Sequence, residues 1–132
     1  MRSAVPLSLL AICTLAGCSS TPPRPPTGAE TYETHCASCH GLDAEGDGPV
    51  AATLSVHVPN LRTLAARNGG VFPTDRAASH IDGRAMPAAH GGRAMPVWGG
   101  VFETTNQLFR GAASPEERIE AVIAYLREIQ AP

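Results

Sequence analysis

Cys36-Ala37-Ser38-Cys39-His40 is the stretch on which the reading of this chain turns. Two residues between the thiols let a helical turn set both sulfurs along one edge of a flat partner, and the histidine that follows points its imidazole at the centre. This is the spacing at which two thiols add across the vinyl groups of a haem while the adjacent imidazole binds the iron. The same residues suit a thioredoxin-like redox pair, half of a zinc site or a disulfide. A redox pair belongs in a strand-helix-strand pattern and zinc needs a second ligand pair at matching spacing; neither surrounds this motif. The motif predicts one covalent haem c, attached at Cys36 and Cys39, with His40 as the proximal axial ligand.

Upstream, Met1-Arg2 makes a short positive start, and the apolar stretch from Ala4 to Leu15 is too short to cross a bilayer, which needs about 20 residues. It reads as a secretory signal. The stretch ends in Leu15-Ala16-Gly17-Cys18, which resembles a bacterial lipoprotein signal. In that case residues 1–17 leave, Cys13 with them, and Cys18 becomes the lipidated first residue. Lipoproteins of this type carry enough acyl chains for stable attachment to a membrane. Residues 18–28 contain Pro22, Pro23, Pro25 and Pro26. Such a composition favours extended polyproline geometry, about 3.1 Å per residue, and reads as a tether. One domain is expected over residues 29–132, on the periplasmic side of a bacterial cell envelope.

Composition narrows the rest. The 132 residues carry 12 Asp+Glu against 10 basic residues, all of them arginine, with no basic block. A nucleic-acid footprint is thereby excluded. Apolar residues make up 43% of the chain, enough for a core, yet only three Phe, two Tyr and one Trp are present. Aromatic side chains dominate core energetics, so this shortage points to a core filled partly by something other than side chains.

Local signals place a few helices. Ser114-Pro115-Glu116-Glu117 combines an N-cap, a first-position proline and a capping-box acid. After it, Ile119, Val122, Ile123, Leu126 and Ile129 form one apolar stripe of helical period. A first helix is expected over residues 29–38, burying Tyr32 and the cysteines. A third piece is expected over residues 61–67, stopped at Asn68-Gly69-Gly70. The remainder reads as Gly- and Pro-punctuated loop without strand alternation.

From Gly28 onward the chain resembles the class I c-type cytochromes, particularly the small bacterial monohaem domains. The carriers are Gly28-Ala29-Glu30-Thr31-Tyr32 ahead of the haem motif, Gly46-Asp47-Gly48-Pro49, Met95-Pro96-Val97-Trp98-Gly99, and the closing Ala124-Tyr125-Leu126. The resemblance implies an all-α fold with the N- and C-terminal helices crossing beside the haem and long loops wrapping it. It also implies that the carbonyl of Pro49 accepts a hydrogen bond from the outer nitrogen of His40, and that a methionine closes the distal side of the iron.

Two methionines compete for that position, Met86-Pro87 and Met95-Pro96, both preceded by Arg-Ala. In the family a Met-Pro-x-Trp-Gly arrangement sets a tryptophan near the haem edge or its propionates. Only Met95 has Trp98 and Gly99 in place, so Met95 is the expected distal ligand and Met86 the alternative. His35, His57, His80 and His90 are possible ligands for a bis-His site, His90 lying nearest the methionines in the chain, but all four are expected at surface or supporting positions. Arg62, Arg84 and Arg93 are open as partners for the haem propionates, since arginine suits bidentate carboxylate binding. Asp43, Glu45 and Asp47 read as a solvated turn rather than a calcium loop, since no acid closes a twelve-residue frame.

An iron with His on one side and Met on the other has no open position, which argues for one-electron exchange and against catalysis. The expected function is a membrane-tethered carrier of single electrons between respiratory or periplasmic redox complexes. The alternatives are a fixed cytochrome subunit of a periplasmic dehydrogenase or oxidase and, further off, a haem-based sensor.

Overall fold

Thr27 and Glu30 start the first helix. In the computed structural model, which describes residues 24–85, 95–109 and 111–132, the Thr27 hydroxyl accepts from the Glu30 N–H at 3.2 Å and the Glu30 carboxylate accepts from the Thr27 N–H at 2.7 Å. Two of the donors that a helix start leaves open are thereby satisfied. Arg24 adds a guanidinium to the same carboxylate at 2.8 Å. The expected signal segment, Cys13, Cys18 and residues 18–23 of the tether lie outside the described residues, as do Met86, His90 and Arg93.

The first helix, α1, spans Gly28–His35, so Gly28 opens the domain instead of ending the tether. The helix expected over residues 29–38 is broken at Cys36, where φ −116° and ψ −37° depart from helical values. One short turn, α2 (Ala37–His40), follows and stops at Gly41, whose φ of +82° favours glycine. The break rotates the Cys39-His40 end relative to α1. Tyr32, buried in the core, ties the two pieces together by donating its hydroxyl hydrogen to the Gly41 carbonyl at 2.7 Å.

Residues 61–67 do not make one helix. They form two 3₁₀ turns, Leu61–Thr63 and Ala66–Asn68, the first capped by the Asn60 side chain and the second closed by Gly69 in the left-handed region. Two α-helices appear where loop was expected: α3 (Thr74–Asp82) and α4 (Trp98–Leu108). Gly99 and Gly100 weaken the helical signal at the start of α4, each by about 1 kcal/mol relative to Ala. Tertiary packing overrides that cost. Phe102 of α4 is fully buried, and a Cβ at Gly99 would collide with the Asp82 carboxylate.

The closing helix, α5 (Pro115–Glu128), begins as its sequence requires, the Ser114 hydroxyl accepting from the Glu117 N–H at 3.1 Å and the Glu117 side chain accepting from the Ser114 N–H at 2.7 Å. Its stripe of Ile119, Val122, Ile123 and Leu126 is buried, and α1, α3 and α4 all pack against it. No strand occurs among the described residues, and the fold is all-α, as the sequence led one to expect.

At the crossing of α1 and α5 the two backbones nearly touch. A Cβ at Gly28 would run into the carbonyl of Ala121, and no rotamer change relieves a backbone clash. Helix propensity alone makes Gly28→Ala stabilising by up to about 1 kcal/mol; the overlap reverses the sign. The expected result is a net loss of about 1–3 kcal/mol, read as a lowered midpoint in urea unfolding. An unchanged or raised midpoint would mean that the crossing is looser than described.

Candidate haem site

The break at Cys36 and the turn at α2 bring Cys36, Cys39 and His40 to the wall of one crevice. It has two adjoining lobes, of about 340 Å³ and about 260 Å³. Together they lie in the roughly 300–1,000 Å³ range of ligand cavities. Both lobes are bordered by Cys36, His40, Pro59, His80 and Met95. The outer lobe continues past Cys39, Leu54, Val56, His57 and Trp98. The inner lobe runs into the hydrophobic core along Tyr32, Leu61, Leu64, Ile81, Val122 and Leu126.

Both cysteines are half-buried, and they are not joined to each other in a disulfide. Burial, with a smaller contribution from Cys39, pushes the Cys36 thiol up to about 11. An activated redox pair depends on the opposite, a thiolate made stable by a lowered pKa. Among the described residues no three His, Cys, Asp or Glu side chains converge as a metal site of that kind requires. Among the described residues, neither the redox-pair nor the zinc reading finds the surroundings its chemistry needs.

His40 is half-buried, and burial lowers its pKa while a nearby carbonyl partly opposes the shift. That carbonyl belongs to Pro59, with Nδ1 of His40 at 3.4 Å from its oxygen. A carbonyl only accepts, so Nδ1 carries the hydrogen and Nε2 keeps the lone pair that a metal takes. The acceptor implied by resemblance, Pro49, is not the one found. Residues 48–50 are held against the haem-motif turn by Gly48 N–H to Cys39 O at 3.1 Å and Val50 N–H to Ser38 O at 2.9 Å, with Pro49 exposed. The chain returns past the imidazole ten residues later, where Leu61 N–H bonds the Ala44 carbonyl at 2.8 Å.

Met95 is half-buried, packs against the core and borders both lobes, as does His40. Trp98 borders the outer lobe. What holds it was not legible in the motif. The His35 ring sits 5.1 Å from Trp98 and 5.3 Å from Phe102, and Arg118 lies over the Phe102 ring at 5.4 Å. Burial first, then the Arg118 charge, lowers the His35 pKa and favours the neutral ring in this stack.

Two arginines proposed for propionates have other partners. Arg84 reaches Asp82 at 2.6 Å and Glu116 at 2.7 Å, bridging the end of α3 to the start of α5, and Arg62 leans toward Glu45 at 3.5 Å. Arg67 and Arg76 border the inner lobe instead. Arg67 is held by the carbonyls of Asn60 and Thr63 at 2.7 and 3.4 Å. Sequence spacing offered no way to single them out, because nothing local distinguishes a rim arginine from a surface one.

A flat apolar ring with two carboxylates suits this crevice. Thiols, a lone-pair imidazole, a thioether and aliphatic side chains line it, and two guanidinium groups border one lobe. A family model described as Cytochrome c matches residues 26–130. No curated protein and no solved structure matches the chain. The match spans the whole of the chain from α1 to α5. By that coverage the chain belongs to the cytochrome c family, whose members are generally electron carriers; it is a class I c-type cytochrome, a haem c protein of electron transfer.

Proposed function

We propose that Cys36 and Cys39 form the two thioether bonds, that His40 and Met95 are the axial ligands, and that the protein carries single electrons between membrane or periplasmic redox complexes while tethered through lipid on Cys18. The observation that carries this reading is the pair His40 and Met95 on the borders of the same two lobes. Two axial ligands supplied by the chain leave no position for substrate. The iron supplies a one-electron couple, and the chain's task is to hold its ligands still in both oxidation states.

The tether rests on the lipoprotein-like run ending in Cys18 and on the prolines behind it. Confinement near a membrane raises the effective concentration of a carrier, in place of the positive steering that a chain with 12 acids and 10 arginines lacks. The test uses the full chain expressed in a host that attaches haem c. The purified protein should show a reversible one-electron couple and a ferrous form that resists carbon monoxide. Cys18→Ser should move it from the membrane to the soluble fraction. Ready carbon monoxide binding would overturn the carrier reading, and an unchanged membrane fraction would overturn the anchor.

A second reading, a fixed subunit of a periplasmic dehydrogenase or oxidase, draws on Leu108 and Phe109, 71% and 65% exposed at the end of α4. Co-purification at constant stoichiometry would decide for it over a shuttling carrier.

A further inference from the structure

Helix α3 turns a whole face toward the crevice. Arg76, Ala77, His80 and Ile81, with Pro73 just before the helix, follow the helical repeat and border the inner lobe. His80 alone among them also borders the outer lobe, so it shares both lobes with His40 and Met95. Its ring is not free to choose a tautomer. Nδ1 lies 2.8 Å from the Arg76 carbonyl one turn earlier, which can only accept. In the neutral ring Nδ1 is the donor and Nε2 holds the lone pair. A histidine oriented through its other nitrogen by a backbone carbonyl is the usual preparation for metal binding. His80 is exposed, yet it borders both lobes of the crevice.

The two thioether-side and helix-side donors are carried differently. Met95 sits on the connection between α3 and α4, whereas His80 rides on a regular helix anchored by buried Ile81. We propose that His80 is a reserve axial ligand, taking the position of Met95 when the thioether leaves the iron. This rests on the His40–Met95 reading above. The exchange needs no proton or electron: one lone pair, the sulfur's, is withdrawn and another, that of His80 Nε2, is supplied. Nitrogen in place of a thioether lowers the reduction potential. It also keeps the iron closed to small molecules, so a carrier that loses its methionine does not become a ligand-binding protein.

The experiment compares the ferric full chain with His80→Ala, Met95→Ala and the double variant, by optical and electron paramagnetic resonance spectra. Wild type and His80→Ala should both show the methionine-to-iron charge-transfer absorption. Met95→Ala should lose it yet remain low-spin and six-coordinate, and the double variant should lose the low-spin signal and, when reduced, bind carbon monoxide. A high-spin Met95→Ala, or a double variant still low-spin, overturns the proposal. Absence of the charge-transfer absorption from wild type would instead overturn the His40–Met95 reading. If Met95→Ala does not load haem, sub-denaturing guanidinium releases the thioether in the wild-type chain. A low-spin form lacking the methionine band should then arise in wild type and not in His80→Ala; its appearance in both overturns the proposal.

Discussion

Replacing Cys36 and Cys39 together by alanine is expected to give a protein without covalent haem and without a stable tertiary fold. The first half follows from the chemistry, since each thioether needs a thiol at a vinyl group. The second follows from where the crevice lies. Tyr32, Ile81, Val122 and Leu126 are core residues and also line the inner lobe, so a haem seated in that lobe would be part of the core. With six aromatic residues in the whole chain, side chains supply little bulk to replace it. Anything held by the native state alone stabilises that state, and covalent attachment holds it at high effective concentration. Its loss is set against a total stability of only about 5–15 kcal/mol for a domain of this kind. Mass spectrometry under denaturing conditions should show no haem adduct, and thermal circular dichroism should show no cooperative transition. Either single variant should retain an adduct through the remaining sulfur. A double variant that keeps an adduct, or melts as wild type does, would contradict this account of the core.

Tyr32→Ala is expected to be the most damaging single truncation in the helical frame. The ring is 2% exposed and stands 5.2 Å from Tyr125, where α1 meets α5. Removing a buried aromatic side chain costs about 3–5 kcal/mol, from lost transfer energy and the cavity left behind. The hydroxyl adds its own consequence, because its loss leaves the Gly41 carbonyl without that donor. Tyr32→Phe isolates this part and should cost about 1 kcal/mol. The two variants separate packing from tethering. Urea midpoints report the stability, and if Tyr32→Phe proved as harmful as Tyr32→Ala, the link to Gly41 would outweigh the packing of the ring.

How far the chain could be read without its structure depended on how local each signal was. The capping box at Ser114 and the stripe after it involve residues within one or two turns, and α5 formed as they indicate. The glycines after Asn68 stopped a helical segment there as expected. Helix α4 lacked such signals. Its start contains Gly99 and Gly100, and it forms because Phe102 enters the core and Gly99 allows close approach to Asp82. Neither fact is visible in a window around the glycines.

The site divides along the same line. Cys36, Cys39 and His40 could be proposed from five consecutive residues, because thioether attachment would constrain neighbours along the chain. The acceptor beside His40 could not: Pro49 and Pro59 both follow the motif, and only the pinning of residues 48–50 to the α2 backbone leaves Pro59 at the ring. Arg67, Arg76 and His80 acquire meaning only once α3 and the 3₁₀ turns are folded against α1 and α5. The sequence by itself determined which cofactor this family member takes and pointed to the residues proposed to hold it, since that motif depends on spacing within one turn. The tertiary structure alone decided what surrounds it, since those contacts join residues far apart in the chain and arise from packing.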